Sequence, residues 1–319
     1  MATVENIYRD SDFAALREAL SLWIESAGPC GYYHVGDLDD WVHAHLGVRA
    51  ARQGLVRYWT EDLAIVGIAI CGLFGSAHQV FVRPDRRGSA DEREWLVRAE
   101  AVTARMIEAQ PGEDSRAVPI TDVFDCDAGR RSSLEGLGYE AYRVWDHINE
   151  RSVATDLPVV AVAPGFTIRT TAAGETAHVA RLRALIFGDI DDDDPLVARA
   201  VDFHVQDPET TRTLVAVAPT GEWACLATVH LDVRNHIGLF EPVGTHPRFR
   251  RLGLARAVMA EGLRTMAITG MRTARVSHDA TNSGAARLYA DLGFVRRYTT
   301  LGYRAPTDRR RTLVSGRIG

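Results

Sequence analysis

Residues 240–255 read Phe-Glu-Pro-Val-Gly-Thr-His-Pro-Arg-Phe-Arg-Arg-Leu-Gly-Leu-Ala, and their character changes twice. Phe240 to Thr245 continue a strand, His246 to Arg251 form a turn, and the residues from Leu252 open a helix. A helix N-terminus presents unpaired backbone N–H groups and the positive end of the dipole, so it suits a pyrophosphate. Gly253 lets a phosphate approach the backbone, Ala255 keeps the next turn unobstructed, and Arg250 and Arg251 add charge.

Reading outward, the helix runs from Leu252 to Ile268, followed by a strand at Arg272–Ser277, a helix at Ser283–Asp291 and a strand at Phe294–Tyr303. Upstream lie a strand at Phe166–Arg169, helices at Glu175–Phe187 and Pro195–Val205, and strands at Thr213–Ala218, Trp223–Val233 and Ile237–Thr245. The first half repeats the order. Its strand at Val4–Tyr8 leads to helices near Asp12–Ile24 and Leu38–Leu46, then three strands and a long helix at Ala90–Ala109. A strand at Ala117–Val123, a helix at Asp127–Gly136 and a strand at Tyr139–His147 complete it. Both halves therefore read β-α-α-β-β-β-α-β-α-β, an α/β class with a mixed sheet. Leu292-Gly293-Phe294 aligns with Leu137-Gly138-Tyr139 at an offset of 155, which also sets Asn282 over Asp127. Domain duplication accounts for a period that long, whereas solenoid repeats run to about 20–50 residues. The expected boundaries are a domain over 1–150, a linker over 151–164 carrying Pro158 and Pro164, and a domain over 165–319.

The 319 residues include 37 basic and 42 acidic side chains, and every basic one is Arg. Without Lys, chemistry through a Schiff base, a P-loop lysine or a lysine base is excluded. A net charge of -5 provides no broad basic footprint for nucleic acid. The apolar run Leu63–Phe74 is too short to span a bilayer, and the N-terminus shows no secretory pattern, so a cytoplasmic protein is expected. Cys30, Cys71, Cys126 and Cys225 lack metal-ligand spacing, so no metal and four reduced thiols are expected.

Arg250-x-x-Gly253-x-Ala255 resembles the acetyl-CoA signature Q/R-x-x-G-x-G/A of the GNAT acyltransferase family, on a strand–turn–helix as in that family. Asn282-Ser-Gly-Ala285-Ala-Arg-Leu288-Tyr289-Ala-Asp-Leu-Gly293-Phe294 resembles the family's second motif. The resemblance covers nearly the whole chain as two tandem GNAT-like domains, and implies a sheet splayed between strands 4 and 5 of each. It also implies acetyl-CoA as co-substrate, held by Val243, Thr245, Arg250, Arg251, Gly253, Leu254, Ala255, Asn282 and Tyr289. Tyr289 matches the general acid, and Val243 N–H is the candidate oxyanion donor. Pro242 suits a splayed edge, where no ladder bond is forfeited.

Strand alternation places Glu241 on one face with Val243, which makes it a base, a water-holder or a substrate anchor. The carboxylate used by several family members would align with Leu239 instead, and His230 and His278 are alternative bases. The run Asp189, Asp191, Asp192, Asp193 and Asp194 either draws a cationic amine or forms a solvated loop that caps the helix at Pro195.

The first half departs from both motifs. Asp85 stands where the signature wants Arg or Gln, Asp91 and Glu92 occupy the first helical turn, Asp127 replaces Asn, and Leu134 replaces the Tyr. Carboxylates there satisfy the helix dipole and repel a pyrophosphate. The expectation is a degenerate first domain beside an N-acetyltransferase acting on a small-molecule amine, as a monomer or homodimer. A noncatalytic acyl-CoA-binding regulator and a protein N-acetyltransferase are the alternatives.

Overall fold

The computed structural model describes residues 3–46, 49–109, 117–153, 156–172, 174–188 and 209–307. They fall into two compact units, 1–147 with 298–319 and 148–297.

The first unit contains β1 (Val4–Ile7), α1 (Phe13–Ala27), α2 (Val35–Asp40), α3 (Arg49–Leu55), β2 (Val56–Glu61), β3 (Ala64–Leu73) and β4 (Ala77–Val82). It continues through α4 (Ala90–Ala109), β5 (Ile120–Phe124), α5 (Ala128–Gly136) and the start of β6 (Glu140–Ser152). The second unit holds β7 (Thr167–Thr170), α6 (Thr176–Phe187), β8 (Thr211–Val217), β9 (Trp223–Asp232), β10 (Ile237–Thr245), α7 (Leu254–Ile268), β11 (Thr273–Asp279) and α8 (Ser283–Asp291). The expected helix at Pro195–Val205 and the acidic run 189–194 lie outside the described residues.

Within the second unit the strands lie in the order β11-β10-β9-β8-β7. β10 runs parallel to β11, and the remaining neighbours are antiparallel. α7 covers one face, where Val258, Met259, Leu263 and Met266 join Val229, Leu231 and Phe240 in a buried core. Each such side chain contributes about 1.5–3 kcal/mol by leaving water. Gly262 permits the close approach, since a Cβ there would strike the Phe240 ring. On the opposite face Leu182 of α6 packs against Val215 and Leu226.

The first unit has the order β1-β2-β3-β4-β5, and its next strand is β12 (Val295–Arg304), from the far end of the chain. Thr300 to Arg304 pair antiparallel with Phe124 to Ile120, and Tyr303 joins the core around Trp59 and Trp95. β6 serves both units. Asp146 donates its N–H to Thr300 Oγ1 at 3.1 Å in the first, while Glu150 meets Arg275 at 2.6 Å in the second. The sequence reading kept the last strand in the second half. Side-chain alternation announces a strand, but its pairing partners stand more than 150 positions away, which local patterning does not encode.

The expectation of four reduced thiols needs correction. Cys30 and Cys126 form a disulfide with Cα atoms 6.2 Å apart, linking the loop after α1 to the turn before α5, while Cys71 and Cys225 are free and buried. Cysteines 96 residues apart in sequence gave no spacing signal. Closing a loop this long restricts the unfolded chain, so reduction should lower the first unit's stability by about 2–4 kcal/mol. Calorimetric unfolding with and without reductant measures this, and the Cys126→Ser variant should unfold as the reduced wild type does. Among the described residues no helix is long and apolar enough to cross a membrane.

Candidate active site

β10 leaves its parallel neighbour part-way along. Ile237 to Phe240 pair with Thr273 to Val276 of β11, and beyond Phe240 only β9 continues as a partner. The gap between β10 and β11 is the expected splay. On the opposite edge of β10, Phe240 faces Val229 but Val243 faces Ala227, so three steps on β10 match two on β9. This bulge breaks the alternation assumed from sequence. Phe240 and Val243 both pack toward the α7 core, so Glu241 and Val243 do not share a face by simple alternation. The Glu241-Pro242 bond is cis.

The bulge decides which amides face the gap. His246 N–H bonds the Ala224 carbonyl on β9 at 2.9 Å, and in an antiparallel ladder every second residue does so. Gly244 therefore turns toward β9, and Val243 and Thr245 turn outward. Arg250 Nε reaches the Thr245 carbonyl at 3.4 Å, drawing the turn against this edge.

After the turn, Arg251 and Gly253 have left-handed backbones, with φ of 68° and 75°. Gly253 is the N-cap residue of α7, and no side chain caps this helix. A Cβ at Gly253 would meet nothing within 4 Å, so the space before the helix is open. The Leu254 side chain is buried in the core, and its backbone N–H is the part directed to the helix end. Ala255 packs against the same core, whereas Arg250 and Arg251 are exposed. Asn282 lies at the start of α8, where its Oδ1 accepts the Ala285 N–H at 3.0 Å, so this oxygen is committed to a helix cap.

Tyr289 of α8 is 7% exposed, with its ring 5.7 Å from His278 and 6.1 Å from Phe294. Burial, and after it the nearby Glu241 carboxylate, hold its hydroxyl well above the ordinary phenol range, so it keeps its proton. His278 Nδ1 sits 2.8 Å from the Asp279 carbonyl and therefore carries the donated proton. His230 is buried and donates Nε2–H to the Glu241 carbonyl at 2.8 Å. Glu241, His278 and Tyr289 thus gather at the gap, while His230 addresses the β10 backbone. Cys225 lies behind Thr245, whose Oγ1 is 3.3 Å from the sulfur, and burial pushes its thiol up to about 12. Such a thiol is not a nucleophile.

The counterpart in the first unit is filled by its own side chains. β4 and β5 pair only at Ala77 and Ile120, so the strands separate here too. Glu92, in the first turn of α4, accepts the Gly88 N–H and binds Arg130 Nε at 2.5 Å. Arg130 Nη1 donates to the Val80 carbonyl on β4 at 2.8 Å. Tyr33 and Gln79 both donate to Asp122. The small cavity beside them is lined by Tyr33, Gln79, Asp122 and Arg130. The sequence reading noticed Glu92 but missed Arg130, which at the offset of 155 stands where the second unit has Ala285. An Arg in place of Ala was the available signal.

Residues 180–294 match the model of the acetyltransferase (GNAT) family, a span that contains the gap, the uncapped helix and Tyr289. This match lies wholly within the second unit and covers 115 of the 319 residues. It is 24% identical over 302 residues to a mycothiol acetyltransferase of Streptomyces griseus, covering 92% of each chain. It is 27% identical over 179 residues to that of Streptomyces coelicolor, covering 56% of this chain and 58% of the other. A tandem GNAT protein from the clavulanic acid biosynthesis pathway shares the fold with a TM-score of 0.63 at 14% identity, over 96% of this chain and 98% of that one. A GCN5-related N-acetyltransferase from Sphaerobacter thermophilus does so with a TM-score of 0.57 at 20% identity, over 95% of each. The chain thus carries its match to the GNAT acetyltransferase family in the second unit and has, over its whole length, the fold of a tandem GNAT protein.

Proposed function

We propose that the second unit transfers the acetyl group of acetyl-CoA directly to an amine of a small-molecule acceptor, and that the first unit takes no part in the chemistry. The contrast between the two clefts carries this reading. α7 begins without a side-chain cap beside open space, whereas the α4 N-terminus is occupied by Glu92 and Arg130. The mycothiol acetyltransferases among its relatives favour a small-molecule acceptor over a protein.

The outward edge of Val243 and Thr245 pairs with the pantetheine amides, and the first-turn N–H groups of α7 with Arg250 and Arg251 receive the pyrophosphate. The amine nitrogen attacks the thioester carbonyl carbon, and its lone pair forms the new C–N bond. Val243 N–H stabilises the negative oxygen that develops on that carbonyl. Glu241 draws the amine proton away, directly or through water. As the carbonyl re-forms, the C–S bond breaks and Tyr289 gives its proton to the departing sulfur. The protonated state of Cys225 favours this direct route over an acyl-cysteine intermediate.

Calorimetric titration with acetyl-CoA, followed by thiol release across a panel of amines, tests the proposal. One site per chain and amine-dependent release are expected. Two equivalent sites would overturn the assignment of the first unit, and no binding would overturn the proposal altogether. Binding without release for any amine would favour an acyl-CoA-binding regulator.

A further inference from the structure

We infer that His230 is a positioning residue, whose Nε2–H clips the Glu241 carbonyl and so holds the β10 bulge in the register that turns Val243 into the cleft. The inference rests on the reading of that cleft as the acetyl-CoA site.

Between Phe240 and Val243 the strand carries one residue more than β9 can match, so the Glu241-Pro242 step falls outside the ladder. Pro242 has no N–H to offer there. His230 stands opposite Leu239 in the ladder, one step before the bulge, and projects its ring to the Glu241 carbonyl at 2.8 Å. A carbonyl only accepts, so Nε2 bears the proton. The other nitrogen, Nδ1, lies 3.4 Å from the hydroxyl of Thr211, the ladder partner of His230 on β8. The imidazole is 2% exposed and is held between the two strands that flank its own.

Without the clip, β10 can slip back by one residue. A one-residue slip exchanges inward and outward groups along the strand, sending the Val243 N–H toward β9 and closing the edge meant for the thioester. His230 thereby acts on the reaction through the backbone of Glu241 and Val243. This differs from a base: its Nε2 proton is engaged with a carbonyl, and Nδ1 faces β8.

The test compares His230→Leu with His230→Gln, whose side-chain amide reaches about as far as Nε2. In the unligated protein, deuterium exchange of the Gly244 and His246 amides should rise at least about tenfold in the Leu variant, and acetyl-CoA affinity should fall about tenfold, the worth of one buried hydrogen bond. The Gln variant should return both to within about threefold of wild type. Wild-type exchange and affinity in the Leu variant would overturn the inference, as would a Gln variant impaired as badly as Leu. If the Leu variant does not fold, His230→Asn, whose amide stops short of the carbonyl, replaces it with the same expectations. The exchange measurement needs no ligand, so a wild-type protein that fails to bind acetyl-CoA would sink the reading of the cleft while the clip stays open to test.

Discussion

Gly253→Asp is expected to abolish acetyl-CoA binding, lowering affinity by about three orders of magnitude, while leaving the fold intact. The new carboxylate would lie at the uncapped start of α7, where the proposed pyrophosphate needs the first-turn N–H groups. It would take those donors for itself and repel the ligand as well, much as the Glu92 carboxylate, which accepts the Gly88 N–H just ahead of α4, puts a negative charge at that helix start. Charge-assisted hydrogen bonds are worth about 1.5–3 kcal/mol each, so losing two accounts for the expected magnitude. Folding pays only the left-handed backbone at φ 75°, about 1–2 kcal/mol, because a side chain there meets nothing. Gly253→Ala separates the two effects: it carries the same strain without charge and should bind within about tenfold of wild type. Calorimetry and thermal unfolding on all three proteins decide the matter. Wild-type affinity in the Asp variant would put the pyrophosphate elsewhere, and Gly88→Asp should leave affinity unchanged.

Tyr289→Phe is expected to lower kcat by about 10²–10⁴-fold, the usual share of a general acid, with acetyl-CoA affinity changed less than about threefold. The ring stays packed against Phe294 and His278, so the loss is that of one proton donor. A rate within threefold of wild type would remove Tyr289 from the chemistry. The pH dependence has a definite sign. Burial and Glu241 both favour the neutral phenol, so the acid is fully protonated at neutral pH and its loss begins only above the ordinary phenol range near 10. Glu241→Gln removes one of the two causes, so the alkaline limb of the rate profile should move to lower pH. An alkaline limb that stays in place would show that Glu241 does not act on Tyr289.

Much of this molecule could be read locally. The apolar spacing of Ala90–Ala109 and Ser283–Asp291 marks both helices at their observed ends, because each is amphipathic and bounded by turn residues. The strand, turn and helix start over 240–255 are likewise legible, although the helix opens at Leu254 and not at Leu252. What escaped depends on distance or on a single extra residue. Alternation carried through Glu241-Pro242 places Val243 on the wrong face, because a bulge leaves no mark that a period-2 pattern can register. The disulfide between Cys30 and Cys126 and the Glu92–Arg130 plug join segments that meet only in the folded chain. His230 looked like a spare base on a strand end, and only the position of the Glu241 carbonyl gives it another task.

The placement of β12 bears on how the chain is made. During synthesis the first unit emerges without the strand that lies beside β5, because that strand follows the elements of the second unit in the sequence. Until then the open flank of β5 is an exposed sheet edge, the kind that invites wrong partners. Cutting the gene at the linker would therefore not release two autonomous halves: the upstream fragment would lack its closing strand, and the downstream one would carry a strand that belongs to its twin.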